Sequence, residues 1–290
     1  MKANKALLLS VVLSACVTTL PPAHVITHPE RADARLAVSW IGHATTLIQI
    51  DDRFVMTDPM LVDTVAAGLS HRMVGVPISP KDVPPLDAVL ISHVHFDHLS
   101  LDSLASIEHK VRRAYMPEGG LVYLSNLPFD AVDMRKWEGS SDRGMEITAV
   151  PVAHVGPRYL VDTWVHAFTG WVVRYHGITV YFSGDTAYAP ADFRATKARI
   201  GHIDLALLAI APIHPRSIMR KVHMDPEEAL DAFVDLGADH MIPIHFDTMT
   251  DSTDAPHEAR DTLARLVRER HLESRVTILA IGEQSVVIAK

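Results

Sequence analysis

Hydrophobic positions along the chain fall mostly into short blocks with strand spacing, punctuated by Gly, Pro and Asp, and only a few stretches carry a helical period. Residues 36–41, 46–50 and 54–57 read as a β meander, broken at Gly42 and Asp51-Asp52 and closed by Asp58-Pro59. Residues 88–91 form a further apolar run, 100–110 a helix, and 113–116 and 146–152 strands. Residues 170–174 and 178–182 read as a hairpin around His176-Gly177, and 204–210 as a buried strand. Asp225-Pro226-Glu227-Glu228 has the make-up of a helix start, with Asp as N-cap, Pro at the first position and Glu in the capping-box place. That helix should run to Leu236 and stop at Gly237. A strand at 241–244, a helix at 255–270 and strands at 276–281 and 285–288 complete the chain. Strands outnumber helices in both halves and no internal repeat is present, which predicts an α/β fold of two sheets packed face to face with helices outside. Between Met60 and Pro85 neither period holds. Gly68, Gly75, Pro77, Pro80, Pro84 and Pro85 mark a long loop that could wall or cover a site.

The first 35 residues follow a different pattern. Lys2 and Lys5 precede an apolar run at 6–13 that is too short to span a bilayer but has the length of a signal-peptide core. Leu13-Ser14-Ala15-Cys16 resembles the lipobox of bacterial lipoproteins, whose cysteine becomes the lipidated first residue of the mature chain. The expected organisation is a signal peptide at 1–16, a tether at 17–35 containing Pro21, Pro22 and Pro29, and one globular domain at 36–290. Cys16 is the sole cysteine, so no internal disulfide forms. Acyl chains on Cys16 would place the protein in a bacterial envelope. Val17 replaces the Asp that commonly signals inner-membrane retention, which points to an outer membrane, facing the periplasm, in a host with two membranes. A net charge of −8 without a Lys or Arg cluster argues against nucleic acid as a partner.

The chemistry concentrates at His93-Val94-His95-Phe96-Asp97-His98, directly after the apolar run 88–91. Imidazole and carboxylate suit Zn²⁺ and similar ions. An extended backbone would point His93 and His95 to the same side, while Asp97 and His98 just beyond could face a second ion. Three further apolar strands end in residues of the same type, at His154, Asp185 and His245, and strand ends lining one crevice are where such residues converge.

His-Val-His-Phe-Asp-His, followed by His154, Asp185 in Ser-Gly-Asp-Thr and His245, resembles the metallo-β-lactamase superfamily. The resemblance implies a four-layer αβ/βα sandwich with two Zn²⁺ ions at one edge. His93, His95 and His154 would bind one, Asp97, His98 and His245 the other, and Asp185 would bridge them. Ile41-Gly42-His43-Ala44-Thr45, Thr57-Asp58-Pro59 and His223-Met224-Asp225-Pro226-Glu227-Glu228 are similar to N-acyl-phosphatidylethanolamine-hydrolysing phospholipases D and their bacterial relatives. That likeness implies a zinc-dependent phosphodiesterase with His223 in the active site. The chain departs from the pattern at Val155-Gly156-Pro157-Arg158, which lacks the usual Trp, and in a shorter loop at 60–85.

The expected function is hydrolysis by a metal-bridging hydroxide oriented by Asp97, with a lipid or small-molecule substrate and membrane attachment through Cys16. His223, just before a helix N-terminus, would contact an anionic group or protonate the leaving group. His43 is expected to support a ligand by a hydrogen bond, and His214, near Arg216, to line the pocket, with His71 a weaker candidate for the same role. A lactone, ester or amide hydrolase uses the same hydroxide. A non-catalytic metal-binding envelope protein is the reading from another class, opposed by the filled ligand positions.

Overall fold

The computed structural model describes residues 19–124, 128–159, 162, 166–250 and 252–290, so Cys16 and the expected signal peptide lie outside the described residues. The expected meander is β1 (Ala34–Gly42), β2 (Thr45–Ile50) and β3 (Arg53–Thr57), antiparallel throughout. A two-stranded ribbon follows, β4 (Thr64–Val65) with β5 (Ser70–His71). Strands β6 (Ala88–Leu90), β7 (Arg113–Pro117) and β8 (Asp130–Met134) then extend the first sheet in parallel. The second sheet comprises β9 (Gly139–Asp142), β10 (Met145–Val150), β11 (Gly170–Tyr175) and β12 (Ile178–Phe182), then the parallel β13 (Leu205–Ala209) and β14 (His240–Ile244). Finally β15 (Gln284–Ala289) returns to pair with β1, giving orders β15-β1-β2-β3-β6-β7-β8 and β14-β13-β12-β11-β10-β9.

Neighbouring residues on the central strands serve opposite faces, as the strand period requires. Leu47, Met56 and Val89 pack with Leu104 and Ile107 of α1 (Leu101–Ile107), while Ile48, Val55 and Leu90 face the second sheet. Burial on both faces explains why these strands read as nearly unbroken apolar runs. Among the described residues four more α-helices follow, α2 (Pro190–Ile200), α3 (Arg216–Met219), α4 (Pro226–Leu236) and α5 (Glu258–Glu269). Phe193, Leu230, Phe233 and Leu263 carry α2, α4 and α5 onto the large core. The α/β sandwich with helices outside is therefore present. Helix α4 begins as expected, with the Asp225 side chain accepting from the Glu228 amide at 2.9 Å, and ends at Gly237 in the left-handed region.

Three expectations change. Residues 276–281 form no strand beyond a bridge from Val276 to Met241, because this stretch leaves the edge of one sheet to cross to the other. Helix α2 is an addition to the expected elements: only Phe193 and Thr196 of its eleven residues are buried, which leaves a weak apolar stripe in the sequence. The third is the tether. From Leu20 onward the segment lies on the domain: the Leu20 amide donates to the Met73 carbonyl and the Gly75 amide to the Leu20 carbonyl, both at 2.8 Å. Ile26 is buried with its amide 2.8 Å from the Pro77 carbonyl, and the Gln49 side chain bonds both the amide and the carbonyl of Arg31. A Pro-rich segment has few internal hydrogen bonds to give up, so pairing with a neighbouring loop satisfies its backbone.

Candidate metal centre

The turn after β6 is gripped from both sides. Trp171 of β11 donates its indole N–H to the Ile91 carbonyl at 3.0 Å, and the Thr169 amide donates to the Ser92 carbonyl at 2.8 Å. The backbone beyond is not extended, since the His98 and Leu99 amides turn back to the His95 carbonyl at 3.2 and 2.8 Å. The turn starts only at His95, since His93 still bridges to Phe168, and the rings of His93 and His95 converge across the end of the extended stretch. Their Nε2 and Nδ1 atoms stand 2.9 Å apart with the rings at 83°, and Nε2 of His154 lies 3.4 Å from the same His95 atom.

A second set lies beside the first. Nε2 of His98 is 3.3 Å from Nε2 of His245 and 3.4 Å from Oδ2 of Asp97. Asp185 stands between the two sets, with Oδ2 3.2 Å from His98 and 3.8 Å from His93, and Oδ1 3.1 Å from His245. Donors about 2.0–2.1 Å from a tetrahedral zinc are separated by roughly 3.4 Å, so both sets have the spacing of a ligand shell. Both Asp185 oxygens are buried and face ring nitrogens, Oδ1 that of His245 and Oδ2 that of His98, as expected of a carboxylate placed to share a cation with them.

The outward nitrogens are tied down. Nδ1 of His98 faces Oδ2 of Asp58 at 2.7 Å, Nδ1 of His93 faces Oγ of Ser92 at 2.9 Å, and Nδ1 of His154 faces the Val222 carbonyl at 3.0 Å. The Ser92 hydroxyl is itself committed to Asp58 at 2.5 Å, so its oxygen accepts from His93. His93 and His154 therefore carry the proton on Nδ1 and turn the Nε2 lone pair inward. Burial, reinforced by neighbouring imidazoles, holds His93 well below the ordinary 6.5; burial likewise lowers His95 and brings His154 to about 4. Burial opposes the charge on Asp185, but His245, His98 and His223 outweigh it and hold the carboxyl well below its ordinary value. His98 is the exception. Burial works against its charged form, yet the Asp185 and Asp97 carboxylates hold it well above 6.5, so a cation at its Nε2 must displace a proton.

Gly184 makes this approach possible. Its φ is 54°, and a Cβ there would lie 2.2 Å from Cβ of Ser92. Only glycine lets the end of β12 come this close to the end of β6 and set Asp185 beside His93.

His43 also enters the cluster. Its Nε2 stands 2.9 Å from Oδ2 of Asp97, its amide donates to Oγ1 of Thr248 at 2.7 Å, and its carbonyl accepts from the His245 amide at 2.9 Å. Burial brings His43 to about 3, while Asp97 is held well below the carboxylate range, burial being outweighed by His98 and His43. A carboxylate only accepts, so neutral His43 must donate from Nε2 and orients Asp97. His223 reaches the site as well, with Nδ1 3.7 Å from Oδ2 of Asp185 and its ring 5.5 Å from that of His154.

Two expected lining residues are elsewhere. His214 is half-exposed and pairs with Glu258 at 2.8 Å, a surface contact fixed where Asp254 accepts the Ile213 and His214 amides. Arg216 does not line the site; it pairs with Asp225 at 3.0 Å and with Glu228, and Nη1 donates to the His223 carbonyl at 3.0 Å, so it braces His223 from behind. His71 belongs to the ribbon strand β5, outside the cluster.

Two residues with no assigned role in the sequence emerge here. Asp58 is fully buried and accepts from the Ser92 amide at 2.6 Å, from the Ser92 hydroxyl and from His98. Its signal was its place at the end of β3, the same location as the ligands. Arg158 had no signal at all. Its Nη1 donates to the carbonyls of Val94 and Leu99 at 2.7 and 2.8 Å, and its guanidinium lies 4.2 Å above the Phe96 ring, so it clamps the turn that carries His95, Asp97 and His98. Arg158→Leu should weaken metal retention about 10–100-fold, the usual cost of losing an outer-sphere support. Chelator competition reads this directly, and unchanged retention would reduce Arg158 to a packing role.

A family profile described as a Beta-lactamase superfamily domain matches residues 53–246. The chain belongs to the metallo-β-lactamase superfamily. It is 30% identical over 270 residues to N-acyl-phosphatidylethanolamine-hydrolyzing phospholipase D 1 of Caenorhabditis elegans, covering 87% of this chain and 76% of that one. It is 33% identical over 249 residues to an uncharacterized protein of Mycobacterium tuberculosis, covering 82% of this chain and 65% of that one. Among solved structures, a possible metal-dependent hydrolase from Veillonella parvula superposes with a TM-score of 0.70 at 18% identity, over 87% of this chain and 99% of that one. Superfamily membership and the donor sets together make this chain a metal-dependent hydrolase.

Proposed function

We propose that this hydrolase is a membrane-tethered, zinc-dependent phosphodiesterase of phospholipase D type. In this reading His93, His95 and His154 hold one ion, Asp97, His98 and His245 the other, and Asp185 spans both. The observation that carries it is the Asp185 carboxylate, buried between two inward-facing donor sets and within 3.2 Å of both His98 and His245. Divalent ions held there would lower the pKa of a water toward 7 and neutralise charge growing on a phosphoryl oxygen.

The side chains around them do the positioning. Asp97, held by His43, orients the attacking oxygen. His223 is kept neutral by burial, at about 3, and its Nδ1 has no hydrogen-bond partner among the described residues. It is placed to bond a phosphoryl or ester oxygen beside Asp185. The choice of a phosphodiester draws support from the Caenorhabditis elegans relative, named for hydrolysing N-acyl-phosphatidylethanolamine.

One observation favours an ester, lactone or amide instead. The cleft of about 210 Å³ next to the first ligands is lined by Val65, Ala66, Ser70, His95, Phe96 and Asp97, with no Lys or Arg. A phosphodiester would then meet positive charge mainly from the metals, since the nearby Arg158 stacks on Phe96 and commits its Nη1 to the Val94 and Leu99 carbonyls.

Metal removal tests the proposal. Dialysis against a chelator should abolish turnover of bis-p-nitrophenyl phosphate, and about two equivalents of Zn²⁺ should restore it. Restored hydrolysis of p-nitrophenyl esters or lactones without any phosphodiester turnover would move the assignment to the second reading.

A further inference from the structure

We infer that the segment beginning at Leu20 is a strap that holds the cleft-bearing face of this protein against a lipid bilayer. The inference rests on the membrane-tethered reading above and adds an orientation to it. Leu20 is fixed to the loop between β3 and β6 by its two hydrogen bonds with Met73 and Gly75. Four residue steps separate it from Cys16, and at about 3.3–3.6 Å per step they reach no more than roughly 14 Å. With acyl chains on Cys16 in the bilayer, the loop that receives Leu20 cannot stand clear of the headgroups. Among the described residues no helix is long and apolar enough to cross a membrane.

The surface around that point suits an apolar neighbour. Leu20 is 59% exposed, Val25 on the same segment 68%, and Leu69 on the receiving loop 85%. Among the described residues these large aliphatic side chains are left largely open, and a bilayer interface would cover them. The same loop supplies Val65, Ala66 and Ser70 to the cleft beside His95, Phe96 and Asp97. One loop therefore carries the strap contact, the exposed Leu69 and a wall of the metal cleft. A lipid could pass from the bilayer along this loop to the metals without crossing bulk water.

The test uses the full lipidated chain on vesicles of phosphatidylethanolamine and phosphatidylglycerol. Leu69→Cys, labelled with an environment-sensitive dye, should be quenched by brominated lipid. A flexible insertion of about 20 Gly and Ser residues between Val17 and Thr18, with a root-mean-square span of roughly 25 Å, should release that quenching. The insertion should also lower turnover of vesicle phospholipid about tenfold while leaving bis-p-nitrophenyl phosphate turnover unchanged. Absence of quenching in the anchored protein, or quenching that survives the insertion, would overturn the inference whatever the activity. Shielding of the dye that follows protein concentration instead of brominated lipid would seat a second copy on this face and overturn it too. Quenching as expected with no turnover of either substrate would defeat the phosphodiesterase reading alone.

Discussion

Asp185→Asn should leave the fold in place, lower the metal content below that of the wild type, and reduce bis-p-nitrophenyl phosphate turnover on the order of 10³-fold. The magnitude follows from the site. Asp185 lies within 3.2 Å of both His98 and His245 and within 3.8 Å of His93, so it serves both donor sets at once. The amide is nearly isosteric but neutral, and its NH₂ group places protons where a cation would sit. Losing about 4 kcal/mol of charge stabilisation corresponds to roughly 10³ in rate. Two measurements separate the causes. Elemental analysis reports how many ions remain, and far-ultraviolet circular dichroism reports the fold. A variant with full metal content and wild-type turnover would remove Asp185 from the centre of the proposal.

Asp58→Ala should be the most destabilising single change near the site. Asp58 has no solvent exposure and accepts three hydrogen bonds, two from Ser92 and one from His98. Burial raises its pKa, and the His98 and Ser92 bonds act against that rise. Truncation leaves the Ser92 amide and Nδ1 of His98 facing an apolar void, with a cost of about 3–5 kcal/mol for one partner removed from a buried pair. It also frees the His98 ring to rotate, which should weaken metal binding about 10–100-fold. Urea titration of metal-free protein isolates the first effect, and chelator competition isolates the second. If Asp58→Ala unfolded at the wild-type urea midpoint, the carboxylate would not be the support described here. Asp58→Asn, which keeps an acceptor oxygen, should recover part of the stability.

These two residues show what could be read from the chain. Asp185 announced itself as a polar residue of ligand type at the end of an apolar strand, within the same pattern as His154 and His245. Asp58 stands at an equivalent strand end, but a lone Asp before Pro is also an ordinary turn, and nothing local says that it will meet His98 forty residues later. Arg158 is further from legibility. Its partners are the carbonyls of Val94 and Leu99, and backbone acceptors leave no trace in residue identity. Arg216 and His214 mislead for the related reason that a basic side chain near a site in sequence pairs with whichever carboxylate the fold brings close. Here those are Glu228, Asp225 and Glu258.

Local pattern alone was enough for the sandwich, because strand alternation, apolar runs and the capped start of α4 are set by residues a few positions apart. It was also enough for the type of chemistry, because imidazoles and carboxylates clustered at strand ends have few structural uses. The tertiary structure decided the rest. It placed His43 on Asp97 and Val222 on His154, packed Gly184 against Ser92, and turned the backbone at 95–98, the stretch that carries Asp97 and His98. It also laid the segment after Leu20 onto the loop beside the cleft, where composition suggests only a free tether. In each case the deciding term is a contact between residues far apart in the chain, and the free energy of such a contact depends on where the sheets bring its two ends together.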